Sequence, residues 1–78
     1  MNIVKWLKME FYTPQRNKAE KKVAYYKWSV QIYEDRVSQG KILGRKDEGR
    51  FGYHRRMLDI WQLDLEQLNF KISKVQRA

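Results

Sequence analysis

The sequence predicts an all-α protein built as a long antiparallel helical hairpin. Two series of apolar residues, spaced alternately by three and four positions, carry this prediction, because that spacing lines up side chains on one face of a helix. A stretch that holds all four glycines separates the two series and indicates the connection between the helices. With 78 residues, the chain is expected to form a single helical domain, 1–78.

The first long helix is predicted over 14–39. Thr13 is a suitable cap, and Pro14 is a favoured first helical residue because the N–H group that proline lacks has no partner there. Gly40 is typical of the position just after a helix. The apolar series of this helix, which we call seam A, consists of Ala19, Val23, Tyr26, Val30, Tyr33 and Val37.

The second long helix is predicted over about 54–76. Gly49 and Gly52 disfavour helix further upstream, so the start is expected between residues 50 and 56. Because the connection is short, the two helices should pack against each other in antiparallel orientation. The apolar series, seam B, consists of Leu58, Trp61, Leu65, Leu68, Ile72 and Val75, with Phe51 and His54 in phase upstream.

A short N-terminal helix is predicted before Thr13, from the spacing of Val4, Leu7 and Phe11. Two interpretations of this segment are open. It could be a basic amphipathic membrane anchor, or a helix that folds back onto the hairpin. Its shortness and the acidic Glu10 favour the second interpretation.

Each long helix also carries a second apolar set on a face away from its seam. Because a two-helix hairpin cannot cover both faces, we predict a symmetric homodimer that forms a helical bundle. Pairing the first helices antiparallel around Trp28 would set Lys21 and Lys22 against Glu34 and Asp35 of the partner chain; the alternative is that these four charges are only solvated. The predicted dimer interface consists of Tyr25, Trp28, Ile32, Ile60, Leu63 and Phe70.

The composition indicates an anionic partner and no bound cofactor. Seventeen Lys and Arg against nine Asp and Glu give a net charge of +8, which favours nucleic acid, an acidic protein surface or an anionic membrane. The absence of cysteine and the single histidine make a metal site unexpected. No apolar run approaches the about 18 residues of a membrane span, and we expect a cytoplasmic protein.

Catalysis is not expected. The glycine-rich stretch lacks the spacing and the Ser or Thr of a phosphate-binding loop, and no cysteine nucleophile exists. One enzymatic alternative is a metal-free ribonuclease with His54 as acid–base and nearby arginines holding phosphate. A lone histidine in a basic segment is more often a phosphate contact or a helix-start residue.

The stretch from Gly40 to Arg56 is the predicted binding site. It carries six basic side chains against two acidic ones, interleaved with aromatic rings. Basic groups neutralise phosphates and rings stack on unpaired bases, so the pattern predicts binding of RNA or single-stranded DNA. The alternative is a solvated connection without a ligand. The predicted contact residues are Lys41, Arg45, Lys46, Arg50, Tyr53, His54, Arg55 and Arg56, joined by Lys18, Lys21 and Lys22 of the first long helix.

A second class of function fits the same features. Exposed aromatic side chains on a basic helical protein could bind an acidic surface of another protein, as an adaptor or inhibitor would. An accessory protein of a virus or mobile element that acts on a host protein is one form of this hypothesis. The sequence leaves open which class applies, and whether DNA or RNA would be preferred.

Overall fold

The computed structural model describes residues 3–77, and these form two α-helices that pack against each other. Helix α1 spans Ile3–Ser38 and helix α2 spans Arg45–Arg77. The helices are antiparallel: the Lys5 ammonium donates to the carbonyl of Gln76 at one end, 3.0 Å away, and the Tyr33 and Phe51 rings lie 5.6 Å apart near the other. The predicted all-α hairpin is confirmed.

Helix α1 ends at Ser38, one residue before the predicted bound, and Gly40 follows the helix end as the sequence predicted. The Lys41 N–H donates to the carbonyl of Arg36 and the Gly40 N–H donates to that of Val37, each at 3.0 Å. Gly40 has a positive φ of 80°. These two bonds and the left-handed glycine form a Schellman motif, which satisfies carbonyl groups that the helix end leaves free.

The predicted helix boundary at Thr13 and Pro14 is wrong. Pro14 lies inside α1, so the segment before it is not a separate short helix that folds back onto the hairpin. Packing against α2 holds the helix together across a proline that is exposed.

The predicted start of the second helix is also too late. Helix α2 begins at Arg45, and the Glu48 N–H donates to the carbonyl of Gly44 over 2.9 Å. Gly49 and Gly52 therefore lie in its first turns despite their low helix propensity. Contacts of Phe51 and His54 with α1 stabilise these turns, and Asp47 and Glu48 suit the positive end of the helix dipole.

The core is a narrow strip along the two seams. Ala19 is fully buried, which lets the helices approach closely at that level. Val37, predicted in seam A, is exposed because it lies at the last turn of α1, beyond the contact of Tyr33 with Phe51. The buried residues of the described chain are Ala19, Tyr26, Ser29, Val30, Tyr33, Leu68 and Ile72.

The molecule is a rod whose accessible surface is larger than that of a typical monomer of the same mass. Its extents are 57 × 18 × 13 Å and its radius of gyration is 17.3 Å, whereas a compact domain of this length would have roughly 11–12 Å. Its accessible surface is 6343 Å², against about 5,100 Å² for a typical monomer of 9.6 kDa. The hairpin thus leaves apolar surface in water that a thicker fold would bury.

Candidate nucleic-acid interface

Most of the predicted binding residues lie on a helix rather than on a loop. The connection between the helices covers only residues 39–44, and the early start of α2 makes its first three turns the main part of the predicted site. We call residues 40–56 the tip of the hairpin. Helical geometry gives their side chains fixed directions that a flexible loop would not provide.

The basic side chains of the tip are exposed and have no acidic partner. In residues 3–77, the ion pair present joins Arg16 to Glu20, over 3.8 Å, and lies away from the tip. The Arg55 guanidinium lies 5.5 Å from the centre of the Phe51 ring. All six basic residues of the tip are exposed: Lys41, Arg45, Lys46, Arg50, Arg55 and Arg56.

The spacing on α2 groups part of the tip into one surface. Arg45, Gly49, Gly52 and Arg56 follow each other by four, three and four positions and share a helix face. A side chain added at either glycine would have no heavy atom within 4 Å. Backbone is therefore accessible between two arginines, where a phosphate chain could approach closely.

Tyr53 borders that face and keeps half of its surface in water, with 51 % exposed. Its ring lies 5.8 Å from His54. Burial raises the pKa of Tyr26, and the neighbouring phenols of Tyr53 and Tyr25, together with hydrogen bonding to Tyr53, raise it further. The outer part of the Tyr53 ring remains free to stack on a base.

His54 lies between the helices rather than on the basic surface. Its Nδ1 is hydrogen-bonded to the buried Ser29 hydroxyl, and its ring is half-buried. This placement makes it a packing residue of the hairpin, whatever contact it makes with a ligand. The position of His54 in phase with seam B was the feature of the sequence that indicated this packing. The rings of Tyr25, Tyr26, Tyr33 and Tyr53 lie within 6.3 Å of it, centre to centre.

The three predicted lysines of α1 lie apart from the tip. The Lys18 ammonium lies 5.9 Å from the centre of the Trp61 ring, and Trp61 is 16 residues, or roughly 24 Å, along α2 from Arg45. Lys21 and Lys22 follow on the next turn and are exposed. These lysines therefore form a second basic position near the middle of the rod.

The predicted dimer residues are exposed, apart from the half-buried Ile32, but they extend along the whole rod. Tyr25 and Trp28 lie near the tip, with ring centres 6.4 Å apart. Ile60 and Leu63 follow further along α2. Phe70 precedes Lys71, which reaches Tyr12, so it lies roughly 24 Å from the level of Trp28.

A further exposed surface lies at the end opposite the tip, in the N-terminal segment for which the sequence left two interpretations open. Residues 3–11 of α1 and 70–77 of α2 meet there, and we call this region the open end. Leu7 and Phe11 are exposed because they lie on the face of α1 away from α2, whereas Lys5 and Tyr12 face α2. The available signal was that Val4, Leu7 and Phe11 are out of phase with seam A, since Phe11 precedes Ala19 by eight positions.

No family model matches the chain, and searches of curated proteins and of solved structures find no similar protein. Neither described helix is long and apolar enough to cross a membrane. Within residues 3–77, no three His, Asp or Glu side chains come together as a metal site would require.

Proposed function

We propose that this protein binds single-stranded nucleic acid or RNA through the tip of the hairpin and is not an enzyme. The supporting observation is the set of exposed basic side chains that lack acidic partners. Phosphates would neutralise these groups and release counterions, and the exposed ring of Tyr53 would stack on an unpaired base. The open backbone at Gly49 and Gly52 allows the strand to approach between Arg45 and Arg56.

Salt dependence tests the proposal. Replacing Arg45, Lys46 and Arg50 together with Ala should flatten the slope of log K against log salt by up to about two to three units. The matched control replaces Lys8, Lys74 and Arg77, which are exposed at the opposite end of the hairpin and carry the same total charge. Binding of an oligonucleotide can be measured by fluorescence anisotropy at several salt concentrations.

Tyr53→Ala provides a second readout of the same contact. The substitution should cost about 1–3 kcal/mol on a single strand and much less on a duplex, because only unpaired bases offer a face for stacking. Equal losses in the tip and control triple variants would indicate a general charge effect. Unchanged binding in the tip variant would exclude this site and leave the protein-adaptor hypothesis, in which an acidic protein surface contacts the exposed rings.

We also propose that the protein acts as a homodimer. The hairpin exposes about 1,200 Å² more than a typical monomer of its mass, and a standard interface needs about 800 Å² from each partner. Trp28, with 63 % of its surface exposed, is the natural centre of a contact between two copies of α1. Antiparallel pairing there would join Lys21 and Lys22 with the partner's acidic pair.

A further inference from the structure

The two long sides of the hairpin differ in charge and in aromatic content. Ala19, Tyr26 and Tyr33 recur every seven positions and are all buried against α2, so a row of residues at this spacing stays on one side of the rod. Tyr25 and Lys27, the chain neighbours of Tyr26, point to opposite sides, because successive helical residues are about 100° apart. We call the side with Tyr25 the tyrosine side and the side with Lys27 the mixed side.

Along α1, the tyrosine side carries basic residues and no acidic residue between positions 15 and 38. Tyr25 and Ser29 define this side, because both contact His54 of α2. The Lys18 ammonium reaches α2 here, 5.9 Å from the centre of the Trp61 ring. The residues at seven-position intervals from Tyr25 and Ser29 are Gln15, Lys18, Lys22, Ile32 and Arg36.

Along α2, the tyrosine side is also basic near the tip. The pKa of Tyr26 is raised by burial and then by both Tyr53 and Tyr25, so these two exposed rings approach the same buried residue. Tyr53 therefore lies on the tyrosine side. Lys46 and Arg50 precede Tyr53 by seven and three positions, share its part of the helix surface and are exposed.

The mixed side has more acidic than basic residues over the same length. On α1, Glu20 and Glu34 lie seven positions before and after Lys27. On α2, this side carries Glu48 and Arg55, which are also seven positions apart. Because carboxylates repel phosphate, a strand that leaves the tip is directed to the tyrosine side.

We propose that a single strand bound at the tip continues along the tyrosine side toward the middle of the rod, an inference that rests on the proposed function. Its bases stack on Tyr53 and then on Tyr25, each with 51 % of its surface exposed. Its phosphates contact Lys22 and Lys18, so these lysines and the tip form one site. Asp64, the first acidic residue that follows Tyr53 on this side, limits the path because it repels phosphate.

Tyr25→Ala tests the second stacking position. It should lower the affinity for a single-stranded oligonucleotide by about fivefold or more and have a much smaller effect on a duplex. Tyr25→Phe keeps the ring and should bind as the wild type does. Because the Tyr25 ring lies 6.4 Å from that of Trp28, it also borders the proposed dimer contact. Trp28→Ala is therefore the control: it alters that contact, lies off the tyrosine side and should leave the affinity close to that of the wild type.

Lys18→Ala tests the phosphate contacts. It should flatten the slope of log K against log salt by about one unit, as the loss of one phosphate contact does. Lys27→Ala makes the same change on the mixed side of the same helix and should leave the slope unchanged. Fluorescence anisotropy measures binding, and circular dichroism checks that each variant remains helical.

The outcomes separate this path from the tip site. Equal losses for Tyr25→Ala and Trp28→Ala would assign Tyr25 to the dimer contact and overturn the path, as would equal slopes for Lys18→Ala and Lys27→Ala. Losses confined to the triple variant of Arg45, Lys46 and Arg50 would also overturn the path but leave the proposed function standing. A wild type that binds no oligonucleotide would overturn both proposals.

Discussion

Tyr26 illustrates how one residue links packing to pH. It is buried in seam A beside Tyr53 and Tyr25, and its pKa is raised mainly by that burial. An unfolded chain has the ordinary tyrosine pKa of about 10, so it loses this proton at a lower pH than the folded chain does. The contribution of Tyr26 to the stability of the folded chain is therefore complete below about pH 10. It is lost as pH rises through the pKa of Tyr26 in the folded chain.

Tyr26→Phe should flatten the fall of stability at alkaline pH, because phenylalanine has no proton to lose. The measurement is the free energy of unfolding in urea between about pH 8 and pH 11. Val30→Ala, a buried position of the same seam without a titratable group, is the control and should lower stability by a similar amount at every pH. Parallel slopes for the wild type and Tyr26→Phe would contradict the assignment.

At the scale of the elements, Pro14 separates the two interpretations of α1. Inside a helix, proline removes a backbone hydrogen bond and its ring crowds the carbonyl of the residue four positions before, here Glu10. At the first position of a helix the same residue costs nothing. The structure places it in the interior, with the ring exposed and the opposite face packed on α2.

Pro14→Ala should therefore stabilise the protein, by up to about 3 kcal/mol. The free energy of unfolding from urea titration measures the change, and circular dichroism should show no loss of helix. The comparison variant is Gln15→Ala, an exposed neighbour that should shift stability by no more than about 0.5 kcal/mol. If Pro14→Ala lowered the free energy of unfolding, the result would contradict a continuous α1 and support a helix that starts at residue 14.

At the scale of the whole molecule, the rod shape exposes enough surface for two copies to associate, and the oligomeric state tests this. The proposed dimer predicts sedimentation as a dimer at micromolar concentration and a monomer for Trp28→Glu. Ile42→Glu carries the same charge change on an exposed residue outside the contact and should remain dimeric. A monomeric wild type at high micromolar concentration would disprove the dimer.

Charge reversal tests the pairing around Trp28. Replacing Lys21 and Lys22 with Glu should weaken the dimer, because like charges would then face each other across the contact. Adding Glu34→Lys and Asp35→Lys to the same chain should restore it. All four positions are exposed in the hairpin, so the fold should tolerate the exchange.

Some parts of the candidate site were predictable and others were not. Basic residues of the tip are exposed, as charge alone indicates, and Phe51 and His54 contact α1, as their phase with seam B indicates. The direction of the arginines on a rigid helix was not predictable, because the glycines pointed to a loop. The exposure of the first segment was not predicted for a related reason, since Pro14 suggested a break and the fold-back interpretation was favoured.

The sequence by itself determined the helical hairpin, its two seams and the end of α1 at Gly40, because each depends on local periodicity or on a backbone conformation that favours glycine. Only the tertiary structure decided that α1 continues through Pro14 and that α2 begins at Arg45. In a helix interior, proline costs about 3 kcal/mol and glycine about 1 kcal/mol relative to alanine. Contacts with the opposite helix, from Lys5 to Gln76 and from Tyr33 to Phe51, offset that cost, and local sequence does not contain them.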